Sequence, residues 1–130
     1  MKILIVDDTK IPRMLITNHL EEIGIKKKDI IDFSSPIKAI EFIENNEIKV
    51  IFTDVNMPEM NGLDFLKKVF KILNKDNLTT FVISGTFDKN IKKSFNDIGV
   101  KLFLSKKTIN NKYFKEYIKE KIKIDNLEVK

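Results

Sequence analysis

The sequence contains no cysteine, which removes disulfides, thiolate metal sites and cysteine nucleophiles and suits a reducing compartment. Histidine occurs once, as His19 beside Leu20 on an apolar helical face, so it reads as packing rather than as a metal ligand or phosphate carrier. No apolar run approaches the roughly 20 residues that a membrane span needs. The opening run Ile3-Leu4-Ile5-Val6 is closed by two aspartates before it reaches the ~7 to 15 residues of a secretory signal. A soluble, cytoplasmic protein is therefore expected. No glycine-rich phosphate loop follows any apolar run, which argues against a nucleotide-binding role. No repeat, low-complexity tract or Pro/Gly/Ser linker divides the chain. Its 130 residues and 15.2 kDa predict one domain with a full core and no attached effector module. At 42% hydrophobic and 33% charged residues the composition is that of an ordinary globular protein.

Arginine is almost absent as well. Of the 24 basic residues all but Arg13 are lysine, whereas base reading and bidentate phosphate contacts lean on the planar arginine fork. The net charge of +5 is thus weak support for nucleic-acid binding. It is also unevenly placed: residues 1–100 hold 15 basic and 15 acidic groups, and residues 101–130 hold 9 and 4. The late lysines, from Lys112 to Lys123, are interleaved with Glu116 and Glu120 and read as a solvated helix face.

What is present alternates. Short apolar runs rich in Ile, Val and Phe occur at Ile3–Val6, Ile30–Phe33, Val50–Thr53, Thr80–Ile83 and Val100–Leu104. Continuous rather than alternating apolarity suits strands buried on both faces. Between them lie stretches with helical spacing: Leu15, Ile16, Leu20 and Ile23, stopping at Gly24; Ile37, Ile40 and Ile43, opened by Ser35-Pro36; Leu63, Leu66, Phe70 and Leu73; Ile91, Phe95 and Ile98; and Ile109, Tyr113, Phe114, Tyr117, Ile118 and Ile122. A capping serine followed by proline marks a helix start, and glycine suits the left-handed residue at a helix end. Five strand-then-helix units predict a doubly wound α/β fold, because each parallel crossover needs a covering helix.

Parallel strands bring their final residues to one edge, where ligands bind in open α/β sheets. That edge would collect Asp7 and Asp8, Asp54, Ser84 and, just past the fifth strand, Lys106. Clustered carboxylates raise one another's pKa unless a positive charge sits among them. Oxygen donors with no His or Cys nearby select Mg²⁺ or a similar hard cation, which keeps room for a phosphate. Lys106 adds a flexible point charge and Ser84 a hydroxyl donor, so the set suits transfer of a phosphoryl group to a carboxylate.

These residues carry a resemblance. Asp7-Asp8, the stretch Asp54-Val55-Asn56-Met57-Pro58-Glu59-Met60-Asn61-Gly62, Ser84-Gly85 and Lys106, each ending an expected strand, resemble the receiver domain of bacterial two-component response regulators. The resemblance covers residues 1–124, leaving 125–130 as a short tail, and is greatest to the stand-alone chemotaxis members. It implies a flavodoxin-like sandwich of five βα units with strand order 2-1-3-4-5. It further implies that Asp54 is the phosphoacceptor, with Mg²⁺ held by Asp8, Asp54 and the backbone carbonyl of Asn56 and by Asp7 through water. Ser84 would be the switch hydroxyl, Lys106 its counter-charge and Phe103 the aromatic switch on the last strand, while Pro58 and Gly62 would shape the loop after the acceptor. The implied partners are a sensor histidine kinase or histidine phosphotransfer protein, and a downstream target met through the fourth helix, fifth strand and fifth helix. A monomer that is not itself an enzyme, and that binds neither nucleic acid nor membrane, is expected.

Two departures stand out. The family usually has proline after the lysine, whereas this chain has Lys107, so the loop is expected to be trans or rearranged, since a cis bond before a non-proline residue costs about 2.5 to 4 kcal/mol. Phe103 replaces a tyrosine common among chemotaxis members. Asn56 and Thr86 would flank the path of an attacking water. Alternatives are a phosphorelay intermediate, a phosphorylation-independent binding module, and a phosphohydrolase, the last opposed by Asn56 and Thr9 where such enzymes commonly carry a second carboxylate.

Overall fold

The computed structural model describes residues 1–122, so the expected domain boundary at residue 124 and the tail lie outside the described residues. The order is β1 Ile3–Val6, α1 Lys10–Glu22, β2 Ile30–Phe33, α2 Pro36–Glu44, β3 Val50–Asp54, α3 Gly62–Ile72, β4 Thr79–Ser84, α4 Lys89–Asp97, β5 Leu102–Ser105 and α5 Tyr113–Ile122. All neighbouring strands are parallel and the sheet runs β2-β1-β3-β4-β5. Ile3 pairs with Ile30 on one side and Val50 on the other, so the strand order reverses at β1. No helix among the described residues is long and apolar enough to cross a membrane.

The continuous apolar runs become strands covered on both faces. Alternate residues face opposite sides of the sheet, and the core accordingly divides in two. Ile3, Ile5, Phe52 and Phe81 pack with Ile16 and Leu20 of α1 and Phe114 and Ile118 of α5. Leu4, Val6, Ile51 and Val82 pack with Ala39 and Ile43 of α2, Phe65, Leu66 and Val69 of α3 and Phe95 of α4. In the first layer the Phe52 and Phe81 rings stack 4.7 Å apart.

Local chemistry sets the helix ends. Ser35 accepts from Lys38 N–H and Pro36 takes the first helical position of α2. Asn61 and Asp88 cap α3 and α4 in the same way, each 2.8 Å from a backbone N–H. Gly24 and Gly99, at φ 105° and 98°, each follow the capping residue at a helix end. Their N–H groups bond Glu21 and Asn96, and the next residues, Ile25 and Val100, bond Leu20 and Phe95. This double closure needs a left-handed residue and an apolar one after it.

It also explains one departure. Val100 was expected to open the fifth strand, but its apolar side chain serves the end of α4, and β5 begins at Leu102. Likewise Ile109 was expected on the last helix, and instead lies buried in the loop between a 3₁₀ turn, Lys106–Thr108, and α5. Tyr113 was expected on the buried face of α5 and is 65% exposed, while Phe114 and Ile118 are buried.

Candidate functional site

The site lies at the carboxyl edge of the sheet beside β1, where the strand order reverses. Asp7 and Asp8 follow β1, Asp54 ends β3, Ser84 ends β4 and Lys106 opens the turn after β5. Asp7 and Asp54 are buried and Asp8 is exposed. The three carboxylates offer ligand oxygens within 4.8 Å of one another.

Each carboxylate oxygen of the buried pair has a distinct task. Asp7 Oδ1 accepts from the Thr9 N–H at 2.9 Å and the Thr9 hydroxyl at 2.6 Å, which fixes its rotamer. Asp54 Oδ1 accepts from Val55 N–H at 2.7 Å. Lys106 Nζ donates to Asp54 Oδ2 at 3.0 Å and lies 3.3 Å from Asp7 Oδ2, an ion pair off the hydrogen-bond line. One ammonium thus serves two carboxylates. Burial pushes the Asp54 carboxyl above its ordinary value, and the Asp7 charge acts in the same direction; the Lys106 hydrogen bond pulls it back only in part. For Lys106, burial alone would depress the ammonium, but Asp54 and Asp7 together outweigh it and the net shift is upward.

The donor set fits a hard divalent cation. Every available side-chain ligand is an oxygen, no histidine stands in the cluster, and the buried Asp7 Oδ2 has no hydrogen-bond partner. A cation there would relieve the excess negative charge that Lys106 leaves.

The loop after β3 is held close. Gly62 donates its N–H to Val55 O at 2.7 Å, and a Cβ at residue 62 would stand 2.1 Å from the Asp54 carbonyl oxygen. Only glycine permits that approach. The Ser35 hydroxyl, while capping α2, also donates to Glu59 and ties the same loop to α2. Asn56 and Pro58 are exposed on it.

Ser84 is buried, but its hydroxyl donates to Thr86 O at 2.7 Å and accepts from Thr86 N–H, so it is engaged in its own turn. Thr86 is exposed. Phe103 is half-buried among Phe87 and Phe95, with ring centroids 5.4 and 6.3 Å away, and Lys92 Nζ sits 5.8 Å from its ring centre. The described backbone has no cis peptide bond. Instead of proline, a side-chain turn presents Lys106: Ser105 Oγ accepts from Lys107 N–H at 3.2 Å, and the Thr108 hydroxyl donates to Ser105 O at 2.9 Å.

Sequence reasoning missed several supports. Thr9 directly follows the aspartate pair and holds Asp7. Arg13 Nη1 donates to the Asp7 carbonyl at 2.9 Å, and its Nε lies 3.1 Å from Asp32 Oδ2. Being the sole arginine was the available signal. His19, read as packing, meets the Phe114 ring at 5.1 Å and bonds the Ile109 carbonyl, joining α1 to the loop that follows Lys106.

A doubly wound sheet with three carboxylates and one lysine at its switch point has the architecture of a receiver. The chain belongs to the response regulator receiver domain family, whose model matches residues 3–119. It is 44% identical over 70 residues to the chemotaxis protein CheY1 of Helicobacter pylori, covering 53% of this chain and 55% of that one. It is 43% identical over 70 residues to the CheY homolog of Campylobacter jejuni, covering 53% and 52%. The chain therefore spans about half the length of these curated relatives. Among solved structures, a CheY-like receiver domain protein from Methanospirillum hungatei matches with TM-score 0.76 at 24% identity, covering 98% of this chain and 97% of that one. Chemotaxis protein CheY4 of Vibrio cholerae gives TM-score 0.73 at 24% identity, with 81% and 85% covered. These two likenesses show the fold.

Proposed function

We propose that the protein is a phosphorylation-operated switch of a two-component system, acting in the cytoplasm and serving chemotaxis. The observation that carries this reading is the buried Asp54 carboxylate, aimed into an acidic cluster and joined to Lys106 at 3.0 Å. An Asp54 oxygen attacks the phosphorus of a phosphohistidine on a kinase or phosphotransfer protein. The new P–O bond forms as the P–N bond breaks, and the imidazole leaves with the electron pair and takes up a proton. A bound Mg²⁺, held by Asp7, Asp8, Asp54 and the Asn56 carbonyl, would neutralise charge on the transferring oxygens. Lys106, already between two carboxylates, supplies the remaining positive charge.

Transfer then changes the local bonding. The Ser84 hydroxyl can bond either Thr86 O or a new phosphoryl oxygen, and leaving Thr86 frees the turn before α4. Phe103 lies against Phe87 and Phe95 of that same region, so repacking there alters the face built by α4, β5 and α5. Chemotaxis is supported by the names of the relatives in Helicobacter pylori and Campylobacter jejuni.

Incubation with an acyl phosphate and Mg²⁺ tests the chemistry directly. Intact-mass measurement should show a gain of one phosphoryl group on the parent and none on Asp54→Asn. An unchanged parent mass, or equal gain on both, would refute the assignment.

A further inference from the structure

A second surface lies away from the acidic site, at the far end of α3. A groove of about 480 Å³ runs between the end of α3, the 3₁₀ turn Lys75–Asn77 and the end of α4. Phe70 and Ile98 form its floor, both half-buried against the core. Lys67 and Lys71, four residues apart and so on one side of α3, line it together with Lys75 of the 3₁₀ turn, and Asp76 is the sole acidic group among the lining residues. None of the three lysines makes an ion pair among the described residues.

The groove is also structurally defined. Gly99, left-handed at φ 98°, closes α4, and the Lys75 side chain lies within 3.1 to 3.5 Å of where a Cβ on it would stand. Glycine here leaves room for the end of the Lys75 side chain, its ammonium included, to lie across the turn beside the groove. The balanced count over residues 1–100 conceals this patch, because the compensating acidic groups lie elsewhere.

We propose that this groove is a docking site for an acidic peptide segment that presents one apolar side chain. The apolar floor takes the side chain, and the lysines meet flanking carboxylates. Nucleic acid fits less well: a phosphate backbone has no use for Phe70 and Ile98, Asp76 would repel it, and no arginine fork is present. The groove meets the α4-β5-α5 face only at the end of α4 and needs no phosphoryl group, so the chain would offer its partners a second contact.

A random dodecapeptide display library, selected on the intact protein and counter-selected on the Lys67→Glu/Lys71→Glu variant, tests this. Enriched peptides should carry Asp or Glu flanking a Leu, Ile or Phe. Calorimetry should show binding that weakens with added salt and falls about tenfold in the variant, as expected for two reversed surface charges. Circular dichroism establishes that the variant is folded, and the single variant Lys71→Ala provides a milder second reading in the same direction. Enrichment without acidic residues, or equal affinity for parent and variants, would overturn the proposal. So would an oligonucleotide of mixed sequence binding the parent more tightly than the selected peptides, which would reassign the groove to nucleic acid. Self-association of the parent in sedimentation, absent from the variant, would reassign it to a second copy of the chain.

Discussion

Asp7 and Asp54 compete for one ammonium, and this shortage of positive charge has measurable consequences. The folded Asp54 carboxyl titrates above its unfolded value. Its contribution to stability is therefore full below the unfolded value and is lost as pH rises through the folded one. In chelator-treated protein, Asp54→Asn should melt above the parent at neutral pH, with the gap closing on acidification. Thermal unfolding at several pH values checks this; a parent equal to the variant at neutral pH would contradict it. Asp8, the exposed member of the cluster, should matter only when a cation is present. Divalent cation at a hundredfold excess over its dissociation constant should stabilise the parent by about 2.7 kcal/mol. Asp8→Asn should lose most of that gain while keeping the metal-free melting temperature, which titration of Mg²⁺ against thermal midpoint would read.

Elements position these residues, and the contact between β3 and α3 is the least forgiving. A methyl group at residue 62 would meet the Asp54 carbonyl at 2.1 Å. Gly62→Ala should cost about 1 to 3 kcal/mol through overpacking and, on the proposed function, slow the mass gain from an acyl phosphate by moving the strand that carries Asp54, both measurable on one preparation. Much at this level was legible in the sequence. β1 and β2 match their apolar runs residue for residue, and α2 begins at the proline after its capping serine, because both signals are local. The same logic failed at Val100 and Ile109. Apolar residues that close a helix end or fill a loop look, in one dimension, like residues of the neighbouring element. The three aspartates and Lys106 were legible because each lies at or just past the end of a strand, and parallel topology alone brings strand ends together. Thr9 and Arg13 were not, since each acts through a backbone or side-chain bond that spacing does not reveal.

For the whole molecule, the division of the core into two layers matters most. Lys106 is followed by a loop whose Ile109 belongs to the α1-α5 layer, whereas Phe103 packs in the layer with α4. A change at the acidic edge can therefore repack the α4 side without loosening the α1-α5 side. On the proposed function, Phe103→Ala should leave the mass gain from an acyl phosphate intact yet abolish the spectral changes expected at α4 on treatment of the parent. Amide NMR on both proteins would check this, and unaltered α4 shifts in the variant would count against Phe103 as the coupling residue.

Arg13 gives the lysine-rich composition a different meaning. Its guanidinium reaches the Asp7 carbonyl through one nitrogen and Asp32 through another, tying the acid-bearing end of β1 to β2. A lysine would have to meet both acceptors with one nitrogen, whereas the planar guanidinium offers a separate nitrogen to each. In a chain that otherwise carries its positive charge as lysine, the lone arginine stands where two acceptors are met by two different nitrogens. Arginines that survive in other lysine-saturated relatives are, by the same reasoning, the first places to look for two-pronged braces.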